Sequence, residues 1–310
     1  MGNGFTITVG DSGTWLGLSH GFFPEQRKYS LPTAEHLSLG ETLDAGEALH
    51  DIGMAVQGSL EVLSEVEFSD GYPGADYRRW REISGLCRSS GSALELVVAS
   101  LCETSGFLRS GHNDPTAPMV SAFVLEAAMQ YLVSAGHNLT NVAFRLCIED
   151  SKCQTILAGA NSPTRKALSA ALQDGTAPAG WLYHSQAAKI LEVLKDVGGP
   201  AVAALRLTAE LYEAAPWQEI SEARNTYFHR MRDGFRETGP KSSTAAQELH
   251  QACTVAAKCI GRAVPSFYHR LNECFPRGKE TGFPLIGNMR RVDPVSHSES
   301  PLLPDTPFSS

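Results

Sequence analysis

Apolar residues recur at helical spacing through most of the chain, and alternating strand-like runs are almost confined to its start. Leu43 to Phe68 reads as a long helix, with Leu49, Ile52, Met54, Val56, Leu60, Leu63 and Val66 at helical spacing. After the turn-rich SDGYPGAD (Ser69 to Asp76), Tyr77 to Leu108 continues the pattern, with Gly85, Ser89, Ser90 and Gly91 as points where it would bend or break. The loop GHNDPTAP (Gly111 to Pro118), whose His112 and Asn113 are minor candidates for chemistry, stops it. Met119 to Ala135 is apolar nearly all round, which predicts a central helix. Gly136-His137 reads as a break before a further helix, Asn138 to Glu149, that carries Arg145 among apolar neighbours.

Helices are also predicted over Ser162 to Leu172, Trp181 to Val197 and Pro200 to Ala215, with the loop Asp174 to Gly180 and the turn Gly198-Gly199 between them. Pro216 opens another helix, which Gly239-Pro240 closes. Ser243 to Val264 follows and extends beyond Pro265 through Ser266 to Phe275. The expected fold class is therefore all-α, a multi-helix bundle. At the N-terminus, Phe5 to Val9 and Thr14 to Leu18 flank Gly10-Asp11-Ser12-Gly13 as a small β-hairpin would, and His20 to Leu39 reads as loop. The organisation read from these patterns is an irregular arm over 1–40, a helical segment over 41–118, a helical domain over 119–275 and a disordered tail over 276–310.

The helix opened by Pro216 has an unusual face. With Arg224 as origin and about 100° per residue, Trp217, Ile220, Tyr227, Phe228, Met231 and Phe235 lie within about 60° of it. A guanidinium thus sits in the middle of an apolar stripe, where it needs a partner. Glu126, the only charge in Met119 to Ala135, is the simplest partner, so an Arg224–Glu126 pair is expected. Asn225, His229, Arg232 and Arg236 fall together beside the stripe, and Asn225 and His229 are one turn apart. A fork-shaped cation, an amide and an imidazole on one helix can handle a phosphate.

Composition narrows the classes of function. The chain has 310 residues, enough for one large domain or two small ones, and a net charge of -8, which disfavours broad non-specific nucleic-acid binding. The segment Arg224 to Lys241 is locally basic, because Arg224, Arg230, Arg232, Arg236 and Lys241 outnumber Asp233 and Glu237. Seven cysteines scattered through helical stretches suit reduced thiols, and their spacing matches no zinc knuckle, so no metal is expected. No apolar run reaches the roughly 18 residues of a membrane span, and no leader-like N-terminus is present, which points to a cytoplasmic protein. Walker-type loops, HExxH pairs and dinucleotide-binding glycine turns do not occur, so no cofactor is expected.

The sequence RNTYFH, Arg224 to His229, resembles the R-polar-x-x-x-H signature of the HEPN superfamily. Those domains are helical bundles, many of them metal-independent ribonucleases of toxin-antitoxin and defence systems. The resemblance implies Arg224 and His229 as the catalytic pair, Asn225 as the polar residue that modulates them, RNA as substrate, a homodimer that brings two motifs into one cleft, and an antitoxin protein as a further partner. It also gives Arg230, Arg232 and Arg236 a role in holding flanking phosphates. The other reading of the same residues is a non-catalytic helical module in which they brace the fold or hold a nucleotide or protein partner.

Overall fold

The computed structural model describes residues 4–10, 13–19, 27–31, 33–67, 75–110, 117–160, 182, 184–230 and 240–274. Side chains are defined for 39–57, 80–105, 108, 121–160, 182, 186–224, 246–271 and 273–274. Strands β1 (Gly4–Gly10), β2 (Gly13–Ser19) and β3 (Arg27–Leu31) form an antiparallel meander, in which Phe5 pairs with Leu18 and Thr14 with both Val9 and Leu31. Eight helices follow among the described residues: α1 (Thr33–Glu67), α2 (Ala75–Ser110), α3 (Ala117–Glu149), α4 (Ser151–Gly159), α5 (His184–Val193), α6 (Pro200–Glu213), α7 (Ala215–Arg230) and α8 (Pro240–Cys274).

The all-α reading holds, with three differences of detail. Arg27 to Leu39, taken as loop, forms β3 and the first turns of α1; the start signal passed over is Pro32-Thr33 ahead of the good helix formers Ala34, Glu35 and Leu37. α3 is one helix, roughly 50 Å long, because Gly136 and His137 stay within it. α4 was not foreseen, although Asp150 caps it by accepting from the backbone N–H of Lys152 at 2.9 Å and of Cys153 at 3.0 Å. α8 runs unbroken through Pro265, in line with the expected extension. The predicted helix Ser162 to Leu172, the loops Ser69 to Gly74 and Asp174 to Gly180, and the tail from Arg277 lie outside the described residues.

α2 is also continuous, and the residues feared as breakers explain how it packs. Gly46 on α1 and Gly91 on α2 face each other so closely that a Cβ on Gly91 would lie 2.5 Å from the Gly46 carbonyl oxygen. Seven residues away on each helix, Gly53 meets Ser84, whose hydroxyl donates to the Gly53 carbonyl at 2.6 Å. Small residues two turns apart on both helices let the backbones approach, which offsets the helix propensity lost to glycine. Gly85, by contrast, faces open space. Gly91→Ala should therefore destabilise the fold by about 1–3 kcal/mol through overpacking, and Gly85→Ala should stabilise it by about 0.5–1 kcal/mol. Paired urea unfolding curves would show the opposite signs.

α8 closes the other side of α1. Thr42 donates to the Ala257 carbonyl at 3.0 Å, next to Gly261, where a Cβ would lie 3.1 Å from the Thr42 Cα. His250 of α8 meets the Leu101 carbonyl of α2 at 3.1 Å. One hydrophobic core runs from Leu39 to Leu271 and includes Phe144, Met129, Trp217 and Phe267. α1 and α2 share that core with α3 and the helices after it.

Candidate functional site

α7 lies against α3 and α8. Trp217 and Ile220 of its apolar stripe are fully buried, as their spacing predicts, and Arg224 sits half-buried two turns beyond Trp217. Across the seam, the Arg224 Nε donates to the Gln130 side-chain oxygen at 3.4 Å. The expected partner was Glu126, one turn earlier on α3; the contact the structure gives is Gln130. A neutral amide orients the guanidinium without cancelling its charge, whereas a carboxylate would do both.

His137 belongs to the same place. Seven residues after Gln130, it lies on the same line of α3, rotated by roughly 20° and about 10 Å along the axis. Burial pushes its imidazole pKa down to about 4, and the nearby Arg224 cation pushes in the same direction. His137 is therefore uncharged at neutral pH. His137 and Gln130 are half-buried, with the His137 Nδ1 itself buried, and Ser134 between them on this face is exposed. Gln130 Nε2 is buried and has no hydrogen-bond partner among the described residues, so it remains a donor.

Asn225, His229 and Arg230 occupy the last turns of α7, with side chains outside the described set; Arg232 and Arg236 lie beyond it altogether. The residues at the seam that the sequence reading missed are Gln130 and His137. Their heptad spacing was the available signal. It was hidden because Gly136-His137 was taken for a helix break, and a residue assigned to a break is not assigned a face.

One turn beyond His137 a buried polar network fixes this part of α3. Asn141 donates to the His137 carbonyl at 2.8 Å and to the Leu182 carbonyl at 3.0 Å, and accepts from the Leu182 N–H at 2.8 Å. Buried Arg145 donates to the Asn141 side-chain oxygen at 3.2 Å and pairs with Glu82 of α2. The Arg145 charge is thus met by a carboxylate and an amide, as a buried cation requires.

Other clusters of reactive groups have structural explanations. Cys147 and Cys153 are hydrogen-bonded neighbours near Cys274 and Asp150; the bond to Cys153 and burial hold the Cys147 thiol well above its ordinary pKa. Burial pushes Cys87, Cys253 and Cys274 up to about 12. Such thiols are poor nucleophiles at neutral pH. Of the seven cysteines, the two only partly buried are Cys259 and Cys274. A thiol-reactive dye should therefore label at most these two rapidly in the native protein and all seven after unfolding, read by mass spectrometry. On α1 and α2, burial and the charges of Asp44 and Asp51 raise Glu47, and burial and Glu47 raise Glu95, which marks an acidic face. Among the described residues, no three His, Cys, Asp or Glu side chains gather as metal ligands, and no helix is long and apolar enough to cross a membrane.

No protein-family model matches the chain, and no significant match was found among curated proteins or solved structures.

Proposed function

We propose that the chain is a metal-independent endoribonuclease of the HEPN type, with Arg224 and His229 as its reacting pair and Asn225 modulating them. The observation that carries the reading is the placement of Arg224. It heads an R-N-x-x-x-H sequence on a late helix of an all-helical bundle, half-buried, with its Nε oriented by a neutral amide. RNA needs no metal for cleavage if its 2′-oxygen attacks the adjacent phosphorus in line. Arg224, permanently charged, stabilises the charge that grows on the phosphate oxygens, and His229 moves a proton near neutral pH. Arg230, Arg232 and Arg236 follow on the chain as anchors for flanking phosphates. The acidic face of α1 and α2 would repel RNA, which leaves the basic segment around α7 as the side of approach. A homodimer, an antitoxin partner and a cytoplasmic setting belong to this same reading.

The bond from Arg224 to Gln130 also favours a second reading, in which the arginine braces a non-catalytic binding module. Incubation of single-stranded and structured RNA with the purified protein in excess EDTA separates the two. Cleavage by the wild type to cyclic-phosphate ends, and none by a His229→Ala protein of equal helical content, is the expected result. Intact RNA in both samples would leave the binding module.

A further inference from the structure

Among the described residues the exposed large apolar side chains are Met54, Phe123, Tyr131 and Ile156. The two aromatic ones are both on α3, close to the residue that holds Arg224. Phe123 is 76% exposed and Tyr131 37%. With Gln130 as origin and about 100° per residue, Phe123 falls at about 20° and Tyr131 at about 100°, with exposed Ser134 at about 40° between them. Positions 122, 125, 129 and 133, on the opposite arc, are buried. The two rings therefore flank Gln130 on the side of α3 that solvent reaches. Phe123 stands about 10 Å before it along the axis, and Tyr131 is one step round from it.

A single exposed apolar residue needs no explanation. Two rings on one arc, beside a cation whose partner is a neutral amide, form the combination by which proteins hold single-stranded nucleic acid. We propose that α3 carries the strand-binding ridge for RNA, where bases flanking a phosphate on Arg224 stack on Phe123 and Tyr131. This rests on the ribonuclease reading and deepens it, because it makes single-stranded RNA the form of the substrate.

Charge, size and reach select this occupant. The Arg224 Nε donates to the Gln130 side-chain oxygen at 3.4 Å, and an amide leaves the charge of the guanidinium for an anion. A nucleotide brings that anion and an aromatic face together. The two rings expose on the order of 200 Å² between them, against roughly 800 Å² per partner in a standard protein interface. That area is too small for a protein to dock on and enough for one base on each ring. The separation of about 10 Å between Phe123 and Gln130 is about three nucleotides at the stacked rise of 3.4 Å, so one short strand touches both. Half-buried Glu126, between Phe123 and Gln130 in the chain, repels phosphate at that level. Neutral base faces then meet the ridge while the phosphate stays by Arg224. Stacking does not select among bases, since each has a π-face, so the ridge takes strands of mixed sequence.

Binding and cleavage by the full-length protein test this. A fluorescent single-stranded 2′-O-methyl oligonucleotide, whose 2′-oxygen has no proton to lose and which is not cleaved, is titrated with the wild type, Phe123→Ala, Tyr131→Ala and Phe123→Trp, all matched for helical content. Each alanine should weaken binding by about 5- to 150-fold, and Phe123→Trp, which keeps a stacking face, should bind at least as well as the wild type. In single-turnover cleavage of single-stranded RNA in EDTA, the alanine variants should need correspondingly more RNA for half-saturation and reach the wild-type rate at saturation, because Arg224 and His229 are untouched. Alanine variants with unchanged binding and unchanged half-saturation overturn the proposal and leave the ribonuclease reading intact. Unchanged RNA binding with a lower sedimentation coefficient for Phe123→Ala overturns it also, and makes the ridge a contact between copies of the chain. If the wild type binds the oligonucleotide, loses it on Phe123→Ala and cuts no RNA, the ridge stands and the reacting pair fails. If the wild type binds no oligonucleotide, both fail.

Discussion

Arg224→Ala is expected to reduce RNA cleavage by about 10²–10³-fold, the usual effect of removing one preorganised donor from a developing oxyanion. Arg224→Lys should recover little of the loss. Lysine restores the charge, but it cannot place two parallel N–H groups on a phosphate, and it has no counterpart to the Nε that Gln130 holds at 3.4 Å. Lowered single-turnover rates of both variants in EDTA, with thermal stability near that of the wild type, would place the effect in the chemistry. If Arg224→Ala instead unfolds at a clearly lower temperature and its RNA binding is unaltered, the arginine is a brace. The same substitution should let His137 titrate closer to its ordinary range, because one of the two forces holding it near 4 has been removed. That shift reports the electrostatic influence of Arg224 on His137 independently of any RNA.

Asn141→Leu should be the most destabilising of the single polar substitutions, by about 3 kcal/mol, read as a fall in the urea midpoint at unchanged slope. Leucine matches the shape of asparagine and supplies none of its bonds. The change leaves the Leu182 N–H and carbonyl without their partner and takes an acceptor from buried Arg145. Asn141→Asp keeps both acceptor contacts and loses the two donated bonds to His137 and Leu182, so its cost should be smaller.

Most helices could be read from the sequence because each has a face that repeats every three or four residues. Trp217 and Ile220 are buried where the wheel puts them, and the same wheel singles out Arg224. What the sequence hid is of two kinds. Glycine and histidine within α2 and α3 carry opposite local meanings, breaker or contact point, and only the neighbouring helix decides between them. Gly91 is a contact because Gly46 is opposite, and His137 feels the Arg224 charge because α7 is opposite. The second kind is partner choice across long separations. Glu126 and Gln130 are one turn apart on the same helix, and nothing local says which of them meets a residue 94 positions away. Charge favours the carboxylate, and the contact of the Nε is with the amide.

The glycine seam between α1 and α2 has a use outside this molecule. Gly46 and Gly53 on one helix and Gly91 on the other each have backbone atoms of the facing helix where a Cβ would come, and Ser84 opposite Gly53 is small enough to donate to its carbonyl, so the seam selects small residues at all four. Surface and even core positions can drift in kind so long as volume is kept, whereas these cannot. Distant relatives with little overall identity should therefore still show two small residues separated by six on each of two consecutive long helices. That spacing, joined to an R-N-x-x-x-H sequence further along the chain, is a fingerprint by which such relatives could be recognised.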